Sequence, residues 1–384
     1  MNFRESSVKL NAALTKDTRK VNGIYFTPRN VRNRLFTVIK ELGVSSVESV
    51  LEPSFGSGEF LADLATEFPG STLFGVEKHK ELFDSVQGEN LTHGDFLEYA
   101  ADPVDLIVGN PPYFVTKLKE PLAMSGRGNI FVLFVYRCIK DHLKEGGHLA
   151  FVLPTSFYNC SYYEPCRRYI RETCTILHVE NLDGGFYDTV QDTMLLVLKK
   201  GEAGGAFFLE RGGNLYISPH ATQLRGLLSE SSTLATLGFK VKTGEVVWNQ
   251  EKASLTSDGD GAYPVIYSNN IVGGEVRLLD EMGGEKKQYI KGDAWKKPAK
   301  GPALLVTRGY GNKYHFNYAF VPEGFEFYGE NHVNVIMPRT QEAMAHIDRI
   351  KKSLEDPRTA EFIRMFVGNG ALSKTELECV FPVF

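Results

Sequence analysis

The stretch Asp105-Leu106-Ile107-Val108-Gly109-Asn110-Pro111-Pro112-Tyr113-Phe114 decides how this chain reads. The apolar run from Leu106 to Val108 predicts a short buried strand. Two prolines then end it, because proline has no N–H for a ladder and its ring fixes φ. An amide, two carbonyls without neighbouring N–H donors and an aromatic ring are thus held rigidly at a strand's C-terminal end. In open α/β sheets that end is where ligands bind. A proline-stiffened turn is the plain alternative, so the rest of the chain has to decide.

Working outward, strand and helix signals alternate. Val47 to Leu51 reads as a strand, followed by Glu52-Pro53-Ser54-Phe55-Gly56-Ser57-Gly58 and a helix carrying Phe60, Leu61, Leu64 and Ala65. Thr72 to Val76 ends in Glu77, and Leu91 to Gly94 ends in Asp95-Phe96. A helix is expected from about Ile130 to Leu143, stopped by Gly146-Gly147, then strands at His148 to Leu153, Ile176 to Asn181 and Met194 to Leu198. Such alternation predicts a mostly parallel sheet covered by helices on both faces. Ahead of it, residues 1 to about 20 read as a flexible or helical arm. Gly23-Ile24-Tyr25-Phe26-Thr27-Pro28 reads as an aromatic turn that starts a helix through Val31, Leu35, Val38, Ile39 and Leu42. After Lys199-Lys200-Gly201 the rhythm fades. A helix near His220 to Leu228 precedes irregular β structure from about Leu237, with helical stretches near 342–354 and 359–366. The expected domains are 1–235 and 236–384.

Hydrophobic content of 42% and charged content of 23% are those of an ordinary globular protein. No apolar run is long enough to span a bilayer, and the polar N-terminus lacks a signal peptide's apolar core. Cys138, Cys160, Cys166, Cys174 and Cys379 form no CxxC pair, which argues for reduced thiols in a cytoplasm and against a zinc site. Net charge is −4, so nothing global announces a nucleic acid. Locally, Lys286, Lys287, Lys291, Lys296, Lys297, Lys300, Arg308 and Lys313 stand against the single acid Asp293, the footprint to seek in a DNA-binding face. A solvated charged face is the alternative.

The loop through Gly56 and Gly58 permits close backbone approach to a ligand at a helix N-terminus. Glu77 ends the next strand, where a ribose diol is held. The third glycine of the dinucleotide fingerprint is missing, with Leu61 in its place. A pyrophosphate needs that helix end, whereas S-adenosylmethionine does not. Asp95 can accept from an adenine amino group while Phe96 lies along the ring.

The ordered set Phe26-Thr27-Pro28, Leu51-Glu52-Pro53-Ser54-Phe55-Gly56-Ser57-Gly58-Glu59-Phe60, Gly75-Val76-Glu77, Gly94-Asp95-Phe96 and Asn110-Pro111-Pro112-Tyr113 resembles the gamma-class adenine-N6 DNA methyltransferases. The likeness covers about residues 23–200. More loosely, residues 241–250 and 329–335 resemble the recognition domains of type II modification methyltransferases of the HincII and TaqI kind. The resemblance implies a class I S-adenosylmethionine-dependent fold, a Rossmann-like seven-stranded sheet, with a C-terminal mixed α+β target recognition domain. It also implies Tyr25, Phe26, Thr27, Pro53, Phe55 and Asn110 against the cofactor, Glu52 facing its ammonium end, and Phe186 or its neighbour Tyr187 as an aromatic wall for the base.

The chemistry expected of Asn110 is physical. Adenine's N6 lone pair is delocalised into the ring. Acceptors on its two hydrogens, Asn110 Oδ1 and the Pro111 carbonyl, draw the nitrogen toward a tetrahedral form, while Pro112 offers no competing N–H. Tyr113 would stack on the base. No metal is needed. The adenine must be flipped out of the duplex to reach the site. In the second domain Lys296, Lys297, Arg308, Tyr310, Asn312 and Lys313 are the expected DNA contacts, with Trp248 and Asn249 behind them. A cognate restriction endonuclease and a monomer on double-stranded DNA complete the expectation, with no membrane partner. Glutamine-N5 and RNA N-methyltransferases sharing the Asn-Pro-Pro-Tyr site are the first alternative. A DNA-binding protein that has lost catalysis is the second.

Overall fold

The computed structural model describes residues 3–15, 18–19, 22–182, 192–291, 297–308, 316–366 and 372–384. The chain divides into one unit of residues 1–210 with 215–222, and another of 211–214 with 223–384.

The first unit is built on seven strands: β1 (Ser49–Glu52), β2 (Thr72–Glu77), β3 (Leu91–His93), β4 (Val104–Gly109), β5 (Leu143–Pro154), β6 (Cys174–Leu182) and β7 (Thr193–Lys200). Their order is β3-β2-β1-β4-β5-β7-β6. The neighbours from β3 to β5 run parallel, and β7 lies antiparallel between β5 and β6. This is the class I methyltransferase sheet. Leu106, Ile107 and Val108 of β4 are fully buried, as a strand covered on both faces requires. Leu106 and Val108 pack with helices Arg29–Glu41 and Glu59–Glu67, while Ile107 faces helices Ile130–Arg137 and Glu164–Thr173. The chain order reverses between β1 and β4, so their carboxyl ends open the crevice in which an α/β sheet binds its ligand.

The helical run that starts at Ile130 reaches His142, as its apolar periodicity predicts, first as α-helix Ile130–Arg137. A π turn, Cys138–His142, follows, and β5 already starts at Leu143. The glycines expected to stop the helix instead lie in a bulge of β5, where pairing jumps from Val104↔Leu143 to Leu106↔His148. Gly146 takes φ +79° there.

The second unit is mixed α+β. Strands Phe239–Thr243, Val333–Pro338, Ala303–Thr307 and Tyr318–Val321 form a four-stranded antiparallel sheet. A five-stranded sheet holds Ala262–Ile266 beside Glu326–Gly329, with three short strands around them. Leu305, Ala319, Phe327 and Val335 anchor its core. Helix Lys374–Cys379 opens on a capping box between Ser373 and Glu376, a pattern the sequence carries. Among the described residues no helix is long and apolar enough to cross a membrane.

Candidate active site

The carboxyl ends of β1, β2, β3 and β4 converge on a cavity of about 590 Å³. Tyr25, Phe26, Pro53, Gly56, Glu77, Asp95, Phe96, Asn110 and Pro112 all line it. Sequence reasoning had placed every one of these in a single site, and the sheet brings them together. Phe55, Thr27 and Glu52 line a small adjoining recess of about 30 Å³.

The glycine loop is tied to β2. Glu77 Oε2 accepts from the Gly56 N–H at 2.8 Å, and Oε1 accepts from the His79 N–H at 2.7 Å. Burial raises the Glu77 carboxyl above its ordinary value, opposed by those N–H groups. Gly58 takes φ +75° to open helix Glu59–Glu67, and a Cβ there would come within 2.9 Å of Val86. Asp95 Oδ1 accepts from the Leu97 N–H at 3.0 Å, and Oδ2 pairs with Lys78 at 2.8 Å. The Phe96 ring is buried against Phe134, 4.8 Å away between centroids.

Glu52 is the charge outlier. It is 2% exposed, and its Oε2 has no hydrogen-bond partner. Burial, then the nearby Glu77, pushes its carboxyl well above the usual range. A buried carboxylate with a free oxygen calls for a cation.

Asn110 is oriented by the turn that precedes the first long helix. Its Nδ2 donates to Thr27 Oγ1 at 3.0 Å and to the Tyr25 carbonyl at 3.3 Å. Both amide hydrogens are thereby used, and Oδ1 is left as an acceptor. The Tyr113 hydroxyl bridges Oδ1 and the Val152 carbonyl, the latter at 2.8 Å. Its ring packs edge-on to Phe131 at 5.9 Å, so Tyr113 and the buried Pro111 stand behind the cavity wall. Pro112 and Phe114 provide the apolar surface beside Asn110.

Two residues that hold this site escaped the sequence reading. Gly23, at φ +63°, lets the turn approach so closely that a Cβ would lie 2.7 Å from Tyr113 N. Arg32 is 2% exposed. It pairs with Glu59 at 2.8 Å and Asp63 at 2.6 Å, and donates to the Thr27 carbonyl at 2.6 Å. The available signal was a cation on the apolar stripe of Leu35, Phe36 and Ile39.

Phe186, Tyr187, Lys296, Tyr310, Asn312 and Lys313 lie outside the described residues. Lys297 is exposed. Arg308 is half-buried, its N–H donating to the His332 carbonyl at 3.1 Å. Lys252 and Lys286 sit over the Trp248 ring, 5.7 and 5.6 Å from its centroid. Asn249 is exposed. His332 Nδ1 lies 2.7 Å from the buried Glu330. Among the described residues no group of acids, histidines or cysteines could hold a metal.

Comparison with known proteins gives a consistent result. The Eco57I restriction-modification methylase family matches residues 67–186. The type II methyltransferase M.CvrRI of Paramecium bursaria Chlorella virus XZ-6E is 31% identical, covering 100% of this chain and 99% of that one. Modification methylase CviBIII of Paramecium bursaria Chlorella virus NC1A is 30% identical with the same coverage. The type II methyltransferase M.HincII of Haemophilus influenzae is 25% identical over 40% of this chain and 32% of its own length.

Proposed function

The chain belongs to the type II restriction–modification methyltransferases, and we propose that it methylates N6 of an adenine flipped out of duplex DNA. The observation that carries the reading is the clamp on Asn110. With both amide hydrogens committed to Tyr25 and Thr27, Oδ1 is fixed as an acceptor, and in the structure the Tyr113 hydroxyl occupies it. A preorganised acceptor of this kind favours the charge distribution of the transition state without reorganising during reaction.

S-adenosylmethionine supplies an electrophilic methyl group on a sulfonium. The residues present fit it. Glu52 offers a buried, unpartnered oxygen to its ammonium end. Glu77 and Asp95 line the cavity for the ribose and the adenine amino group. The Gly56–Gly58 loop leaves backbone room beside them.

In this reading the substrate amine donates a hydrogen to Asn110 Oδ1, displacing the Tyr113 hydroxyl that holds it in the structure. The lone pair thereby localises on nitrogen, which would receive the sulfonium methyl in line as the carbon–sulfur bond breaks, the nitrogen then giving up a proton to solvent. Fixing nitrogen and methyl at attack distance supplies much of the rate. Glutamine amides and RNA bases offer comparable NH2 groups, so the substrate class is tested directly. The protein is incubated with labelled donor and duplex DNA, RNA or a release factor in parallel. Label in DNA alone is the expected result, and label in RNA or protein overturns the reading. The same reading assigns a cognate endonuclease cutting the unmethylated site, action as a monomer, and a reducing cytoplasm that fits the free cysteines.

A further inference from the structure

We propose that the segment from Val115 to Arg127 is a DNA-docking element of the first unit. In this assignment Leu118 enters the base stack beside the displaced adenine, and Lys117, Lys119 and Arg127 meet phosphates. It rests on the reading of the chain as a DNA methyltransferase, and extends it to a surface outside the basic stripe of residues 286–313.

The segment leaves the Asn110–Tyr113 loop and returns at helix Ile130–Arg137, and its inner side is packed. Val115 pairs with Asn129 in an antiparallel bridge, and the Thr116 N–H donates to the Gly128 carbonyl at 3.1 Å. The Ser125 N–H donates to the Tyr162 carbonyl at 2.8 Å, and the Cys166 N–H to the Ala123 carbonyl at 3.1 Å. Ala123 and Met124 are buried. The Met124 side chain packs over Gly128, where a Cβ would lie 1.7 Å from its Sδ and would force it to move. The backbone is therefore anchored at both ends and near its middle.

The outer side is the reverse. Val115, Leu118 and Leu122 are 54%, 55% and 59% exposed. A fixed segment gains nothing in stability by presenting three aliphatic side chains to water, and clustered apolar exposure marks a partner surface. Charge says which partner. Lys117, Lys119 and Arg127 are exposed, and among the described residues none has an ion-pair partner. Against them stands only Glu120, whose carboxylate accepts from the Leu122 N–H at 3.3 Å. Cations flanking an aliphatic knob are the elements of a DNA wedge, which unstacks a base step while phosphates hold the protein in register. Position completes the argument. Leu118, Thr116 and Phe114 line the same cavity as Asn110, so the knob stands at the rim the flipped base must cross.

The test first locates the methylated site in a plasmid by sequencing. That site is then built into a duplex oligonucleotide, either matched or with an abasic position opposite the target adenine. Leu118→Ala is expected to slow methylation of the matched duplex at least tenfold and to approach wild type on the abasic duplex, where the base is already unpaired. Leu118→Met restores the matched rate. In the triple variant Lys117→Gln, Lys119→Gln, Arg127→Gln, the slope of log affinity against log salt should fall by about 2.7, near 0.9 for each phosphate no longer neutralised. Equal rates for wild type and Leu118→Ala on the matched duplex, or an unchanged salt slope, overturn the proposal. So does a loss of rate in Leu118→Ala that is as large on the abasic duplex as on the matched one. If the wild-type protein labels no DNA at all, the functional reading itself falls, a result distinct from any of these.

Discussion

The Asn110 loop and the Arg308–Trp248 region differ in what fixes their chemistry. At Asn110–Tyr113 the working groups are backbone carbonyls and a short amide, set by two prolines, a buried strand and hydrogen bonds to the 25–27 turn. In the second unit they are long side chains, such as Lys286 over Trp248 and Arg308 beside Asn331. The first kind is fixed by the local backbone and by hydrogen bonds. The second kind rests on the long side chains of Lys286 and Arg308, both half-buried, which can change partner while the backbone stays in place.

The sharpest way to break this comparison is Asn110→Ala. It should lower methyl transfer about 10²–10³-fold, the usual cost of one oriented transition-state contact, with cofactor affinity within a few-fold by calorimetry. A comparable loss in affinity would mean that Asn110 binds the cofactor more than it activates the amine. Next in size is Glu77→Ala. Hydrogen bonds to a charged group contribute roughly 1.5–3 kcal/mol, so cofactor affinity should fall about ten- to hundredfold. Part of that loss comes from releasing the Gly56 and His79 N–H groups.

Glu52 sharpens the contrast through pH. Its carboxyl is raised in the fold by burial and by Glu77. A raised carboxyl contributes stability that is fully present below the unfolded value and is lost as pH rises through the folded one. Without ligand, the melting temperature of the wild type should therefore decline as pH climbs above the ordinary carboxylate range. Glu52→Gln should flatten that decline and bind the cationic cofactor more weakly. A wild-type curve parallel to that of the variant would contradict this role for Glu52.

These effects follow what the sequence could and could not reveal. Apolar runs ending at Pro53, Glu77, Asp95 and Pro111 mark the strand ends, and a sheet that orders those ends side by side turns four local signals into one cavity. What stayed hidden depends on pairing across the chain. Arg32 meets Asp63, 31 residues away, and no local periodicity announces that bond. The inward turn of Tyr113 depends on the Val152 carbonyl of β5, equally remote. In the second unit, strands of two residues, such as Leu255–Thr256 and Ala299–Lys300, are too short to show alternation.

The smallest effect belongs to the second unit. Lys297→Gln should lower the salt slope of DNA binding by about 0.9 and leave the methylated sequence unchanged, as expected when one phosphate is no longer neutralised. A shift in target sequence would move Lys297 from phosphate binding to base reading.

The central claim is tested most directly by digesting DNA methylated by the protein to nucleosides and identifying the labelled base by mass spectrometry. The account predicts label in N6-methyladenine alone, lowered about 10²–10³-fold by Asn110→Ala. Label in a methylated cytosine would contradict it.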